Sequence, residues 1–153
     1  MISFNLIEFA FNDDENIVKF CDPDYKDKPI SELAKIIYNK LLEYEKEGDC
    51  KFDELKVDNE IVGYAFYFKN LLVSFGVNKN HRTKDKLSKV FEQMKDNFDS
   101  DFESYMWQRN ERAINWLKKC GMVEVPSNID NVIKLKYIFS VLWSNSILSF
   151  TFL

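Results

Sequence analysis

The spacing of apolar and polar positions changes several times along this chain, and each change predicts an element. "ISFNLIEFAF" (2–11) alternates and is rich in aromatics, which predicts an opening strand. "ENIVKFC" predicts a short helix stopped by the turn-forming "DPDYKDKP". In "ISELAKIIYNKLLEYEKEG", Ile30, Leu33, Ile37, Leu41 and Tyr44 recur at helical spacing, and Gly48 is set to end the helix. "FDELKV" and "IVGYAFYF" flank "DNE" as a hairpin, and "LLVSFGV", after the short turn "KN", extends it to a three-strand antiparallel meander. Leu87, Val90, Phe91, Met94 and Phe98 form the apolar stripe of a further helix. "FESYMWQ" then predicts a strand, and "NERAINWLKKCGM" a helix capped by Asn110 and closed by Gly121. "VEV" and "VIKLKYIF" predict two last strands around "PSNID". This order predicts an α/β domain, a mixed and mostly antiparallel sheet flanked by helices.

The domain is expected to span residues 1–139. Residues 140–153, "SVLWSNSILSFTFL", form an apolar extension whose Trp143, Phe150 and Phe152 would dock on the body or meet a partner chain. A homo-oligomer or an assembly contact would follow from the second arrangement.

Composition narrows the classes. The 153 residues are 46% hydrophobic with 14 Phe and 7 Tyr, enough for a real core and unlike a disordered chain. With 21 basic and 25 acidic side chains the formal charge is −4, so no specific nucleic-acid partner is expected. Cys21, Cys50 and Cys120 are far apart and His81 is the single histidine, so no metal site is expected and reduced thiols fit a cytoplasmic setting. Asp13, Asp14 and Glu15 follow a stretch without basic residues, which argues against a secretory signal, and no apolar run approaches a bilayer span. No membrane contact is expected.

The stretch "FGVNKNHRTKDKL" carries the chemistry: a strand, a basic loop and a helix start, the arrangement that seats a phosphate on helix amides. Its basic residues are otherwise a solvated helix start. Three segments in order, "VDNEIVGYAFYF", "LLVSFGVNKNHR" and "NERAINWLKKCGM", resemble the GNAT superfamily of N-acetyltransferases over about residues 52 to 125. The resemblance implies a GNAT-type fold and acetyl-CoA as acyl donor. Its pantetheine arm would lie on the backbone of Phe75 and Val77, with its phosphates at Arg82, Thr83, Lys84 and Lys86, and Asn110 beside it. The acceptor implied is an amine of a small molecule or a protein.

The sequence also departs from the pattern. Asp85 and Leu87 stand where the family's loop has glycines, and Leu117 stands where a tyrosine often acts as acid. No catalytic residue follows from sequence. Tyr64, Glu103 and His81 are the titratable candidates for moving a proton, and Ser74 occupies the strand where a glutamate base often sits. Tyr105 and Trp107 share a strand face that lines either a cleft or the core. Two readings stay open: an acyl-CoA-dependent N-acetyltransferase, or a noncatalytic GNAT-like binding or assembly module such as a phage virion component. Binding of another phosphorylated ligand by the basic loop is a third.

Overall fold

The structure is a computed structural model that describes residues 1–12 and 28–139; "ENIVKFC" and the 140–153 extension lie outside the described residues. The chain opens with helix α1 (Phe4–Phe11), which corrects the expected strand over 2–11. Alternation and helical spacing coexist in this segment, and the cap decides between them. The Ser3 hydroxyl accepts the Leu6 amide at 3.2 Å, and Ile7, Ala10 and Phe11 then share one buried face.

Helix α2 (Ile30–Glu47) buries Leu33, Ala34 and Leu41 and stops at Gly48, as its spacing predicts. Strands β1 (Cys50–Val57), β2 (Glu60–Phe68) and β3 (Leu71–Val77) form the expected meander. Asp58 and Asn59 turn the first hairpin with φ of 54° and 67°, the left-handed conformation that their short polar side chains tolerate. A 3-10 turn (Lys79–His81) leads into α3 (Lys84–Lys95), β4 (Phe102–Trp107), α4 (Glu111–Lys119), β5 (Val123–Val125) and β6 (Val132–Tyr137). The sheet runs β1-β2-β3-β4-β6-β5, and only β3 and β4 are parallel.

Helices cover the sheet on both faces. Ile7 and Ala10 of α1 and Leu41 of α2 pack with Tyr64 and Phe66 on one side. Val90 and Phe91 of α3 and Leu117 of α4 pack with Leu72 and Leu135 on the other. Buried on both faces, β2 reads as a continuous apolar run from Val62 to Phe68. Buried Asn78 ties α1 to the end of β3. Its Nδ2 donates to the Phe9 carbonyl at 2.7 Å, its Oδ1 accepts the Asn80 amide at 3.0 Å, and its own amide donates to Val62 at 2.8 Å.

A candidate active site between two diverging strands

Strands β3 and β4 meet only where they begin. Leu71 opposite Glu103 is their one paired position. The Glu103 amide donates to Asn70 at 2.9 Å, and the buried Ser104 hydroxyl donates to the Leu72 carbonyl at 2.9 Å. Past these links the strands part. The cause lies in β3, whose pairing with β2 slips: Phe66 faces Ser74 but Tyr67 faces Leu72, leaving Val73 as an extra residue. Such a bulge bends its strand. Meanwhile β4 stays paired to β6 along its whole length, from Phe102 with Tyr137 to Trp107 with Val132.

A cavity of about 350 Å³ occupies this divergence. Val73, Ser74 and Phe75 line it from β3, and Tyr105, Met106 and Trp107 from β4. Helix α2 forms the facing wall with Ile36, Ile37, Lys40 and Tyr44, and Asn110 borders it at the start of α4. Phe75, Asn110, Tyr105 and Trp107, all singled out by sequence, therefore share one cavity. Asn110 corrects one expectation: it occupies the N-cap position of α4, but its side chain makes no capping hydrogen bond. Its carbonyl takes the Ile114 amide at 3.1 Å.

Two hydroxyls suggested separately are joined here. Ser74 Oγ and Tyr64 Oη lie 2.7 Å apart. Tyr64 is fully buried, stacked on Phe52 at 5.5 Å and edge-on to Phe11 at 6.0 Å, so its ring is fixed. Glu103 is not on the cavity wall; its carboxylate pairs with Lys134 at 2.7 Å. The Lys134 ammonium also lies 5.5 Å from the Tyr105 ring centre.

The basic segment forms a separate group, and none of its residues lines the cavity. Arg82 folds back so that its Nε donates to the Val77 carbonyl at 2.8 Å. Thr83 caps α3, its hydroxyl accepting the Lys86 amide at 3.3 Å while its carbonyl takes Leu87 at 2.9 Å. The amides of Lys84 and Asp85, ahead of these bonds, are those the helix leaves for another acceptor. Lys86 Nζ lies 3.0 Å from His81 Nδ1, and His81 Nε2 lies 3.5 Å from Glu60. Lys84 is exposed. Asp85 reaches forward to Lys89 at 3.5 Å, and Leu87 packs against the core. The two residues at the glycine positions thus turn to solvent and to the interior, away from the helix start.

Burial pushes the Cys120 thiol up to about 11, helped by Glu92, which fits a packing residue better than a nucleophile. Leu117 is fully buried against the core, so the family's tyrosine position carries packing here. Among the described residues no group of His, Cys, Asp or Glu is arranged to hold a metal ion. No helix among them is long and apolar enough to cross a membrane.

Sequence reasoning missed Ser104, Asn78 and the cavity-facing side of α2. The signal for the last is in the sequence: Ile36 and Lys40 lie one turn apart, beside the core stripe of Leu33, Ile37 and Leu41.

No protein-family sequence model matches the chain, and no curated protein matches it by sequence. Solved structures do match. An acetyltransferase from Thermus thermophilus gives a TM-score of 0.62 at 14% identity, over 89% of this chain and 90% of that one. The microcin C7 self immunity acetyltransferase MccE, in complex with acetyl-CoA and AMP, gives 0.58 at 12% identity, over 89% and 87%. Spermidine N-acetyltransferase from Vibrio cholerae, in complex with CoA and spermine, gives 0.54 at 13% identity, over 90% and 88%. Matched over most of their length at such low identity, these proteins share an architecture with this chain rather than a sequence, and that architecture is the GNAT N-acetyltransferase fold.

Proposed function

We propose that this chain is an acyl-CoA-dependent N-acetyltransferase that acetylates a primary amine. The observation that carries the reading is the divergence of β3 from β4. Beyond Leu72, the side of β3 that faces β4 has backbone groups that no strand among the described residues pairs, next to a cavity. Such groups need partners. The amide-bearing arm of acetyl-CoA fits that need, along Phe75 and the amide of Val77, whose carbonyl Arg82 already holds. Arg82, Lys84 and Lys86 would hold its phosphates by charge, with the amides at the start of α3 below them. The Asp85 carboxylate, engaged by Lys89, opposes this less than its position in sequence implies. MccE and the Vibrio spermidine N-acetyltransferase, solved with acetyl-CoA and CoA, support the choice of donor.

When bound, acetyl-CoA supplies an acetyl group activated as a thioester. A neutral amine nitrogen attacks the carbonyl carbon; the C–N bond forms, the C–S bond breaks, and the sulfur leaves with the electron pair. One proton leaves nitrogen and one is taken up by sulfur, giving an amide and a free thiol. Ser74, oriented by Tyr64, is the hydroxyl on the β3 wall able to receive the nitrogen's hydrogen bond. The apolar walls favour the uncharged amine over its ammonium form, which lessens the need for a strong base. Holding the two reactants together supplies much of the remaining acceleration.

Titration with acetyl-CoA tests this by calorimetry and thermal unfolding. Ligand at a hundredfold excess over Kd should stabilise the chain by about 2.7 kcal/mol. Arg82→Glu should abolish the shift, but it also removes the bond to Val77. Exposed Lys84→Glu isolates the phosphate contribution and should weaken binding about tenfold, roughly the loss of one charge-assisted contact. No shift at millimolar acetyl-CoA would reject the transferase in favour of a domain that keeps only the architecture.

A further inference from the structure

We infer that Ser74 carries the proton from the attacking nitrogen to the departing sulfur, and that Tyr64 is the positioning residue that aims it; this rests on reading the chain as an acyl-CoA-dependent N-acetyltransferase. The inference comes from how β2 and β3 build one hydroxyl pair. Tyr64 stands opposite Gly76, whereas Ser74 lies earlier on β3, opposite Phe66. The Tyr64 ring therefore crosses β3 diagonally, a reach that aromatic side chains have, and its oxygen ends 2.7 Å from Ser74 Oγ. Gly76 makes the crossing possible. A Cβ on it would lie 3.1 Å from Tyr64 Cε1 and 3.0 Å from Phe11 Cε1, so the ring rests on bare backbone.

Tyr64 is fully buried, with Phe52 stacked on it at 5.5 Å. A phenylalanine would fill the same space without taking an oxygen out of water, so the oxygen is there for what it bonds. Its partner Ser74 is half-buried and lines the cavity. A phenol is a stronger acid than an aliphatic alcohol, so Tyr64 donates and Ser74 Oγ accepts, at the usual length for two hydroxyls. Ser74 then keeps its own hydrogen and a second lone pair for groups in the cavity. Along β3, Ser74 follows the Val77 amide and Phe75 in the direction away from Arg82, which brings its hydroxyl to the thioester end of the bound arm. As nitrogen bonds to the carbonyl carbon and the C–S pair passes to sulfur, Ser74 Oγ takes the nitrogen's proton and gives its own to sulfur. Tyr64 keeps its proton, so the pair ends as it began and the step balances within the site.

The probe is CoA bound to the full chain, its thiol titrated through the NMR shift of the sulfur-bearing methylene carbon. A hydrogen bond from Ser74 stabilises the thiolate, so Ser74→Ala should make the bound thiol about tenfold less acidic than in the parent, the effect of losing one hydrogen bond to a charged group. Ser74→Thr keeps the hydroxyl and should restore the parent's titration. Tyr64→Phe keeps the ring and loses the aim, and should lower the acidity about threefold or more. A thiol that titrates alike in the parent and in Ser74→Ala, or in the parent and in Tyr64→Phe, would overturn the inference. Ser74→Thr titrating like Ser74→Ala would show that volume and not the hydroxyl sets the thiol, and the inference would fall. Failure of the transferase reading looks different: CoA does not bind the parent, and the proton path falls with its donor. CoA that binds while its thiol ignores Ser74 keeps the donor site and removes only the proton path.

Discussion

Gly63 is where a single atom would do the most damage. A Cβ there would lie 1.9 Å from the backbone oxygen of Gly76, across the β2–β3 pair, and a backbone oxygen cannot swing aside as a side chain can. Gly63→Ala is therefore expected to force β2 and β3 apart and cost about 3 kcal/mol, at the upper end of ordinary overpacking. In a domain of this size that lowers the melting temperature by roughly 6–12 °C, measurable by circular dichroism. An alanine variant melting within a degree of the parent would show that the strands yield freely. The sequence displays both glycines, in "IVGYAFYF" and "LLVSFGV", but not that they become diagonal neighbours, Gly63 opposite Val77 and Gly76 opposite Tyr64. Ser74 and Tyr64 were legible for the same partial reason. Ser74 is the lone hydroxyl of β3 and Tyr64 one of two in β2, whereas their 2.7 Å contact exists only once the strands pair.

At the scale of elements, what was legible followed period and what was not followed a single irregularity. Helices α2, α3 and α4 announce themselves through apolar stripes with caps, and the β1–β2–β3 meander through short turns. The opening segment carries both periods, and Ser3 settles the choice in favour of α1. The strand divergence leaves no trace in an alternation pattern, since "LLVSFGV" reads as an unbroken strand. Ser104 governs where the divergence begins, because its hydroxyl makes the last link to β3. Ser104→Ala should leave the Leu72 carbonyl short of a buried donor and cost about 1–2 kcal/mol. The urea midpoint should fall with its slope unchanged, and the Glu103 amide should exchange faster as the β3–β4 junction loosens. Unaltered exchange at Glu103 would mean that the junction is held by the backbone pair at Leu71 alone.

Across the whole molecule, the core on the α3 and α4 side contains two groups that keep their protons longer than free side chains do. Burial raises Tyr67 well above the usual tyrosine range, with the Asp53 carboxylate adding to it. Burial likewise raises Cys120 from 9.0 to about 11. Below pH 9 the folded and unfolded chains both hold these protons, and the groups' contribution to stability is fully present. Above it the unfolded chain releases them while the folded chain retains them, so proton loss favours unfolding. Stability should accordingly decline from about pH 9 through 11 for Cys120, and further for Tyr67. Urea midpoints at one-unit intervals from pH 7 to 11 would measure this decline, and Tyr67→Phe and Cys120→Ala should each flatten it. Variants as pH-sensitive as the parent would show that both groups titrate as if exposed. The onset also matters for the proposed chemistry: an alkylamine acceptor ionises near the top of the same range, so a site without a strong base should turn over faster as pH rises toward 9. The disappearance of that rise for a weakly basic arylamine would locate the controlling proton on the acceptor rather than on the protein.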